Sequence, residues 1–266
     1  RDLHLSLRRQ RQMCIRDRHF LYDKNIIQKI ILKLQPKHHD YFIEIGPGEG
    51  ALTNPLIEKT SKITLIEKDK DLIQLLKNQY EKHKSIQIIH NDILKCDLND
   101  YVCKNTRIIG NLPYNISTAL MIHLLAQRER IERMVFMVQK EVALRLTASP
   151  GSKDYGRLTV MMNRVFESEF IFDVDPHAFT PPPKVWSSVV AFKPLAVPVG
   201  PKVDEAAFAA LVRQAFSQRR KTLRNTLKGL CSESLIEKAG LDPKVRPEQV
   251  SVASFVQLAA LAEKND

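Results

Sequence analysis

Short apolar segments alternate with amphipathic helical segments between residues 41 and 138, and this alternation constrains the fold more than any other feature. Strands are predicted at residues 41–45, 62–67, 86–90, 107–109 and 134–138, with helical patterns between them. Alternating βα units of this kind predict a mostly parallel, doubly wound sheet. Two later strands, near residues 170–174 and 187–192, form a hairpin-like pair that would place antiparallel strands at the sheet edge. The expected fold class is α/β, with a Rossmann-like sheet.

Three prolines at positions 194, 198 and 201 mark a linker after these strands. Beyond it the pattern is helical, at residues 204–215, 219–230, 233–239 and 247–262. We therefore expect an α/β domain over residues 19–197 and a small all-α domain over residues 202–266. Residues 1–18 contain six arginines among scattered apolar residues with no helical or strand period. We interpret this arm as disordered or as a non-native extension.

The chain has 41 Lys and Arg against 30 Asp and Glu, a net charge of +11. This excess favours a polyanionic partner, and nucleic acid before a membrane surface. No apolar run approaches the roughly 18 residues of a membrane span, and the N-terminus has no hydrophobic signal region. The four cysteines form no Cys-x-x-Cys pair. We therefore expect a cytoplasmic protein in a reducing compartment, monomeric, without a structural metal or a membrane partner.

The first strand of the alternating series leads into a glycine-rich turn, Glu44-Ile-Gly-Pro-Gly-Glu-Gly. The third glycine comes one residue early for the dinucleotide pattern G-x-G-x-x-G, and Pro47 removes an amide that a pyrophosphate would need. The two glutamates would repel a phosphate. The turn therefore suits a ligand with a positive or zwitterionic end, and S-adenosylmethionine fits. We assign Glu44, Gly46 and Gly48 to this cofactor site.

Carboxylates follow the next two strands. Glu67 ends the second strand of the series, where a carboxylate accepts hydrogen bonds from ribose hydroxyls. Asp92, just after the third strand, is placed to accept a hydrogen bond from the amine of the cofactor's adenine. The alternatives are a solvated strand end for Glu67 and a helix cap for Asp92. The alignment of both residues with the glycine turn favours a nucleoside site.

The segment Ile-Gly-Asn-Leu-Pro-Tyr ends the fourth strand. Pro113 has no N–H and a fixed φ, so the strand cannot continue and Leu112 is pushed toward an extended conformation. The Asn111 side-chain oxygen and the Leu112 carbonyl would then accept hydrogen bonds from a planar group bearing an –NH2, beside the ring of Tyr114. The alternative is a strand-to-helix turn with a polar cap.

Four motifs occur in order: Glu-Ile-Gly-Pro-Gly-Glu-Gly-Ala-Leu-Thr, Gly-Asn-Leu-Pro-Tyr-Asn-Ile-Ser-Thr, Ala-Phe-Thr-Pro-Pro-Pro-Lys-Val and Phe-Ser-Gln-Arg-Arg-Lys-Thr-Leu-Arg-Asn. From His19 to its end the chain strongly resembles the ribosomal RNA adenine dimethyltransferases that act on small-subunit RNA. The resemblance implies a class I S-adenosylmethionine-dependent fold with a helical C-terminal domain. It also implies transfer of four methyl groups to two adjacent adenosines near the 3′ end of that RNA, with either the naked RNA or an immature 30S subunit as the partner.

By the same resemblance, the residues matching the family's cofactor contacts are Gly46, Glu67, Asp92 and Asn111. His19 and Leu21 belong to the family's Gln-x-Phe-Leu segment, which lies against the cofactor. The family has basic residues and then Phe-Gly-Gln before this point, whereas this chain has Ile15-Arg-Asp-Arg18. That departure leaves the contribution of the arm in question.

An adenine amine is a poor nucleophile, because its lone pair is delocalised into the ring. Hydrogen bonds from the –NH2 to Asn111 and Leu112 would turn the lone pair toward the sulfonium methyl, so catalysis would depend chiefly on positioning. The target base must leave its stack, and the rings of Tyr114 and Phe179 could receive it. For Phe179 the alternative is a core position at a strand end.

Residues 206–232 contain no acidic residue and six basic ones. On a helix over residues 219–230, Lys221, Arg224 and Lys228 share one face, apart from a leucine stripe at residues 223, 227 and 230. The alternative is a plain solvated face. We assign RNA phosphate contacts to the six basic residues of the segment, which are Arg213, Arg219, Arg220, Lys221, Arg224 and Lys228.

Two other functions fit part of the pattern. A non-catalytic RNA-binding or ribosome-assembly factor would not need an acceptor pair that orients an amine. A nicotinamide dehydrogenase is disfavoured by the glycine spacing and by Pro47. Labelled methyl transfer to immature small subunits separates the enzyme from both.

Overall fold

The protein is described here by a computed structural model that covers residues 19–264. The proposed arm at residues 1–18 lies outside the described residues. The nine strands within this range are β1 (Phe20–Leu21), β2 (Tyr41–Ile45), β3 (Lys62–Glu67), β4 (Ile86–His90), β5 (Thr106–Asn111), β6 (Ile131–Gln139), β7 (Phe166–Val174), β8 (Phe179–Thr180) and β9 (Ser187–Pro194). Seven of them form one sheet in the order β4-β3-β2-β5-β6-β9-β7, and β1 pairs with β8 in a separate two-stranded ribbon.

The sheet from β4 to β6 is parallel. β2 pairs in parallel with both β3 and β5, and β4 and β6 extend the sheet on either side. The carboxyl ends of all five strands therefore lie along one edge, where open α/β sheets bind their ligands. The predicted α/β class is confirmed, and the two late strands lie at the sheet edge as expected.

Ten helices occur within residues 19–264. They are α1 (Lys24–Leu34), α2 (Thr53–Ile57), α3 (Lys70–Gln79), α4 (Ser117–Leu124), α5 (Lys140–Leu146), α6 (Arg157–Asn163), α7 (Glu205–Ala215), α8 (Leu223–Thr226), α9 (Glu233–Lys238) and α10 (Val252–Ala262). Aspartates cap the first turns of three of them, because the carboxylates of Asp23, Asp69 and Asp204 accept hydrogen bonds from first-turn amides. Among the described residues, none of the helices is long and apolar enough to cross a membrane.

The chain forms two compact units. Of the described residues, the first contains 19–117, 130–140 and 171–191, and the second contains 118–129, 141–170 and 192–264. In the first unit, β2, β3 and β5 are buried on both faces, as expected for strands of a parallel sheet covered on both sides. Phe42, Ile63 and Ile109 are fully buried there, and α1 packs its Ile30 and Leu34 into the same core.

The second unit has a core of its own. Phe208 and Val212 of α7 pack with Phe255 and Val256 of α10, and all four side chains are fully buried. A hydrogen bond from the Tyr155 hydroxyl to the Val250 carbonyl, 2.8 Å long, lies within this core. The division into domains at residues 19–197 and 202–266 stays a prediction.

The prediction of one helix over residues 219–230 is wrong. Only the four residues of α8 are helical, because the amides of Leu223 and Arg224 donate to the carbonyls of Val245 and Pro243 instead of to the preceding turn. Gly229, at φ +87°, ends the segment in a left-handed conformation. The basic stripe and the leucine stripe drawn on that helix are therefore wrong as well.

Candidate active site

A cavity of about 610 Å³ lies in the first unit at the carboxyl ends of the parallel strands. Eleven of the twelve residues assigned to the cofactor and to the target base line it: His19, Leu21, Glu44, Gly46, Gly48, Glu67, Asn111, Leu112, Pro113, Tyr114 and Phe179. Asp92 is the one that does not. The volume lies within the usual range for a small-molecule site.

The backbone of the glycine turn is already occupied by protein acceptors. The Gly46 amide donates to the Ile66 carbonyl over 3.0 Å, and the Gly50 amide donates to the Pro47 carbonyl over 2.9 Å. The Gly48 amide donates to the Glu67 carboxylate. A phosphate needs free amides at this position, so the turn does not suit a dinucleotide.

All three glycines of the turn have positive φ, a conformation that favours glycine. At Gly50 a Cβ atom would lie 2.0 Å from the Tyr80 hydroxyl, and at Gly48 it would touch the Phe20 ring at 3.3 Å. Gly110, just before the end of β5, has a similar role that the sequence analysis missed. A Cβ there would lie 2.6 Å from the Ile45 carbonyl oxygen, so glycine lets β5 lie close to the start of the turn.

Glu44 is a fully buried carboxyl at the end of β2. Its Oε2 accepts a hydrogen bond of 2.6 Å from the Thr53 hydroxyl, a partner that the sequence analysis did not identify. Burial raises the pKa of Glu44 to about 7; the Thr53 bond opposes this and the nearby charge of Glu67 adds to it. A cation in the cavity would favour the ionised form of this carboxyl.

Glu67, at the end of β3, is held by the backbone. Its Oε1 accepts from the amides of Lys68 and Asp69, both over 2.8 Å. Burial raises the pKa of Glu67, and these bonds, together with one from Gly48, act against that effect. The carboxylate is therefore fixed in orientation beside the cavity, where the nucleoside assignment puts it.

Asp92 follows β4 and is paired with a lysine. Its Oδ2 lies 2.9 Å from Lys68 Nζ, and its Oδ1 accepts from the Leu94 amide over 3.1 Å. The hydrogen bond from Lys68 lowers the pKa of Asp92. The bond to Leu94 is the helix-cap type of contact that was the alternative interpretation, and the assignment to an adenine amine stays a prediction.

Asn111 ends β5 with its amide anchored. Asn111 Nδ2 donates to the His19 carbonyl over 3.3 Å, which leaves the side-chain oxygen as the free end of the amide. Among residues 19–264, no donor is placed on that oxygen or on the Leu112 carbonyl. Both residues line the cavity, and their two oxygens are its candidate acceptors for an incoming amine.

The Tyr114 ring lies beside these acceptors. Its hydroxyl is 3.0 Å from Ser187 Oγ, and burial raises the pKa of Tyr114 while the bond to Ser187 opposes the rise. The His19 ring stacks on the Tyr114 ring with centroids 6.1 Å apart and planes inclined by 28°. The stacked His19 and Tyr114 rings form an aromatic wall of the cavity, and its use in holding a base stays a prediction.

Phe179 is the second ring assigned to the target base. It is 2% exposed and packs in the core of the first unit, as the alternative interpretation had it, but it also lines the cavity. β8 places it opposite Leu21 of β1 in antiparallel register. The ribbon is tied further by the His19 ring, whose Nδ1 is 2.7 Å from the Pro181 carbonyl.

The six basic residues assigned to RNA all have exposed side chains in the second unit. Arg213 lies on α7, Arg224 lies on α8, and the others lie in the turns on either side of α8. The shortening of the helix changes their arrangement but leaves all six accessible. Within residues 19–264, no group of three or more His, Cys, Asp or Glu side chains could hold a metal ion.

Comparison with known proteins assigns a family. Residues 16–264 match the family described as ribosomal RNA adenine dimethylase. The ribosomal RNA small subunit methyltransferase A of Hydrogenovibrio crunogenus is 46% identical over 251 residues, 92% of this chain and 94% of the relative. That of Pseudomonas fluorescens is 46% identical over 242 residues, 90% of each chain.

Solved structures agree with these relatives. A dimethyladenosine transferase from Plasmodium falciparum superposes with a TM-score of 0.77 at 26% identity, over 90% of this chain and 96% of that one. The 23S rRNA methyltransferase ErmE gives a TM-score of 0.69 at 26% identity, over 92% and 99%. The fold is therefore that of the class I rRNA methyltransferases, and the chain belongs to the ribosomal RNA adenine dimethylase family.

Proposed function

We propose that this protein transfers methyl groups from S-adenosylmethionine to the exocyclic amines of two adjacent adenosines near the 3′ end of small-subunit rRNA, in the cytoplasm, during assembly of the 30S subunit. The observation that carries this proposal is the acceptor pair at the end of β5. Asn111 donates its NH2 to His19, so its oxygen and the Leu112 carbonyl remain to accept from an incoming amine. A cavity lined by this pair and by aromatic rings suits a base with an –NH2 group.

The residues around the glycine turn fit the cofactor. The buried carboxyl of Glu44 and the oriented carboxylate of Glu67 make the cavity acidic, which favours a sulfonium and an amino group. The amides of the turn are bound to protein acceptors, so a ligand without phosphates fits best. When bound, S-adenosylmethionine supplies a methyl group activated by the positive sulfur.

The protein's own part in the reaction is positioning. The Asn111 oxygen and the Leu112 carbonyl would accept the two amine hydrogens and draw the nitrogen toward tetrahedral geometry. The rings of Tyr114 and Phe179 would hold the extruded base, which costs a few kcal/mol to remove from its stack. Alignment of the amine with the methyl group can lower the barrier by several kcal/mol, up to about 7–11 in the best cases. The leaving sulfide is neutral, and the released proton can pass to water.

The exposed arginines and lysines of the second unit supply the RNA contacts in this proposal. Residues 206–232 contain no acidic side chain to neutralise them. Binding would then weaken steeply with salt, because each phosphate contact releases counterions from the RNA.

Incubation with labelled S-adenosylmethionine and immature small subunits tests the proposal. We expect label on two adjacent adenosines of the rRNA, located by nuclease digestion and mass spectrometry, and none when the subunits already carry dimethyladenosine. Full RNA binding without label on adenosine, with an N-terminus restored to the family pattern, would favour the non-catalytic assembly factor instead.

A further inference from the structure

The chain contains a single tryptophan, and it is exposed at the surface of the first unit. About 47% of the Trp186 surface is accessible, and its neighbour Val185 is 44% exposed. Both lie in the connection between β8 and β9, after three consecutive prolines at positions 181–183. An indole ring buries a large apolar area when it finds a partner, so an exposed one is suited to a contact outside the chain.

Trp186 is next in sequence to a residue that contacts Tyr114, one of the rings assigned to the target base. The next residue, Ser187, is hydrogen-bonded to the Tyr114 hydroxyl over 3.0 Å, and Tyr114 lines the cavity. Successive Cα atoms are about 3.8 Å apart, so the Trp186 backbone lies within roughly 10 Å of that hydroxyl. The Trp186 backbone is therefore close enough for its indole to reach a nucleotide that neighbours a base bound against Tyr114.

The ring is also restrained. The Lys140 amide donates to the Trp186 carbonyl over 2.9 Å, and Lys140 Nζ lies 5.7 Å from the centre of the indole ring. The same Nζ is held by Asp173 at 2.6 Å, and Asp173 in turn accepts from the Ser188 hydroxyl at 2.6 Å. An aromatic ring held in place loses little conformational entropy on stacking, which is the property of a preorganised contact.

We propose that Trp186 is a stacking platform for a nucleotide adjacent to the target adenosine, a substrate-binding contact that rests on the function proposed above. Stacking on an aromatic ring needs no particular base, and it suits the unstacked single strand that base extrusion produces. RNA is the occupant that the charges favour. Asp173 neutralises Lys140, but Lys184 is exposed two residues before the indole, and the chain as a whole carries +11.

The Michaelis constant for immature small subunits tests this role. In Trp186→Ala we expect it to rise about 5- to 150-fold, the factor that corresponds to about 1–3 kcal/mol for one stacked base. The turnover number and the affinity for S-adenosylhomocysteine should stay as in the wild type. Trp186→Phe should restore most of the affinity for the subunits, and Val185→Ser, a change at the exposed neighbour, should have little effect.

The indole also provides a direct signal, because it is the only tryptophan in the chain. Titration with a single-stranded RNA that contains two adjacent adenosines should quench its emission, and an abasic residue beside the adenosine pair should weaken the quenching. Asn111→Ala should show the same quenching without methyl transfer, which separates this inference from the proposed reaction. An unchanged Michaelis constant in Trp186→Ala would overturn the platform. Quenching by ribosomal proteins but not by RNA would overturn it as well.

Discussion

The side-chain nitrogen of Asn111 donates to the backbone carbonyl of His19 over 3.3 Å, across 92 positions of sequence. This contact distinguishes the two ends of the amide. The NH2 end is bound to the N-terminal ribbon, and the oxygen end is left beside the cavity. Asn111, the residue proposed to receive the target amine, is thus oriented by a segment from the beginning of the described chain.

Two replacements of Asn111 distinguish the role of its side-chain oxygen, the proposed acceptor, from that of its NH2 group, which is bound to His19. Asn111→Ala removes both, and we expect the turnover number to fall by at least about 100-fold, as when a preorganised polar group is removed from other active sites. Binding of S-adenosylhomocysteine, followed by calorimetry, should remain measurable. Asn111→Asp keeps an acceptor oxygen but cannot donate to His19. Its activity should therefore lie between that of Asn111→Ala and that of the wild type. Near-normal turnover in Asn111→Ala would contradict the positioning mechanism.

The buried carboxyl of Glu44 predicts a pH-dependent stability. Its pKa is raised to about 7 in the folded state, so the native protein binds a proton more tightly than the unfolded chain. Stability from this group is greatest at low pH and falls as the pH rises from the ordinary carboxyl pKa through 7. Glu44→Gln keeps an acceptor for Thr53 and removes the ionisation. The wild type should lose a few kcal/mol relative to this variant between pH 5 and pH 8.

Urea unfolding at several pH values measures this difference. Glu67 shares the direction of the shift, so Glu44→Gln should reduce the pH dependence without removing it. Parallel curves for the wild type and the variant would show that Glu44 does not titrate in this range.

The pair formed by Lys68 and Asp92 predicts two different effects on the cofactor. If Asp92 accepts from the adenine amine, Asp92→Asn should weaken S-adenosylhomocysteine binding about tenfold, the effect of replacing a charged acceptor by a neutral one. Lys68→Met should leave the affinity unchanged or raise it, because Lys68 Nζ occupies the same carboxylate. Neither variant should lose more than about 1 kcal/mol of stability, since Lys68 is 73% exposed. Equal affinity in Asp92→Asn and the wild type would leave Asp92 as a helix cap.

The exposed arginines near α8 predict a change in salt dependence. The double variant Arg220→Glu, Arg224→Glu should bind RNA more weakly, and the slope of log affinity against log salt should fall by about 1 for each phosphate that is no longer neutralised. Filter binding at several salt concentrations gives the slope. The matched control is Lys77→Glu with Lys82→Glu, which reverses two exposed lysines in the first unit. An unchanged slope in the arginine variant would place the RNA elsewhere.

A comparison of Gly50 with Gly151 measures how much close packing in the glycine turn contributes to stability, because the two glycines have similar φ angles but different surroundings. Gly50 has φ +85° and Gly151 has φ +88°, so both resist a side chain on conformational grounds. A Cβ at Gly50 would lie 2.0 Å from the Tyr80 hydroxyl, whereas one at Gly151 would meet nothing within 4 Å. We expect Gly151→Ala to lose about 1–2 kcal/mol and Gly50→Ala to lose more. Equal losses in thermal unfolding would mean that the turn can relax.

The parallel part of the fold follows from local patterns, which is why it was predictable. The bounds of β3 and β4 match the apolar runs. Asp23 and Asp69 cap α1 and α3 through hydrogen bonds to first-turn amides, which are contacts within one short stretch of sequence. The carboxyl ends of parallel strands meet by geometry, so Glu44, Glu67 and Asn111 could be brought together from sequence alone.

Contacts between distant segments could not be predicted. Residues 219–230 contain good helix formers, but the amide of Leu223 binds a carbonyl 22 residues further on and shortens the helix to four residues. β7 starts at Phe166, four residues before the strand predicted near residues 170–174. Asn111 donates to His19, and Tyr114 is hydrogen-bonded to Ser187. Each of these bonds joins segments that are far apart in sequence, so no local sequence pattern predicts it.

The ribbon of β1 and β8 has a consequence for how the protein is made. Leu21 emerges from the ribosome early but is opposite Phe179, which emerges far later. A nascent chain that stops short of Thr180 therefore has strands β2 to β6 available but lacks the partner of its first strand. The Phe179 side of the cavity is added only when translation has nearly completed the first unit, so a truncated product that folds its parallel strands still has an incomplete cavity.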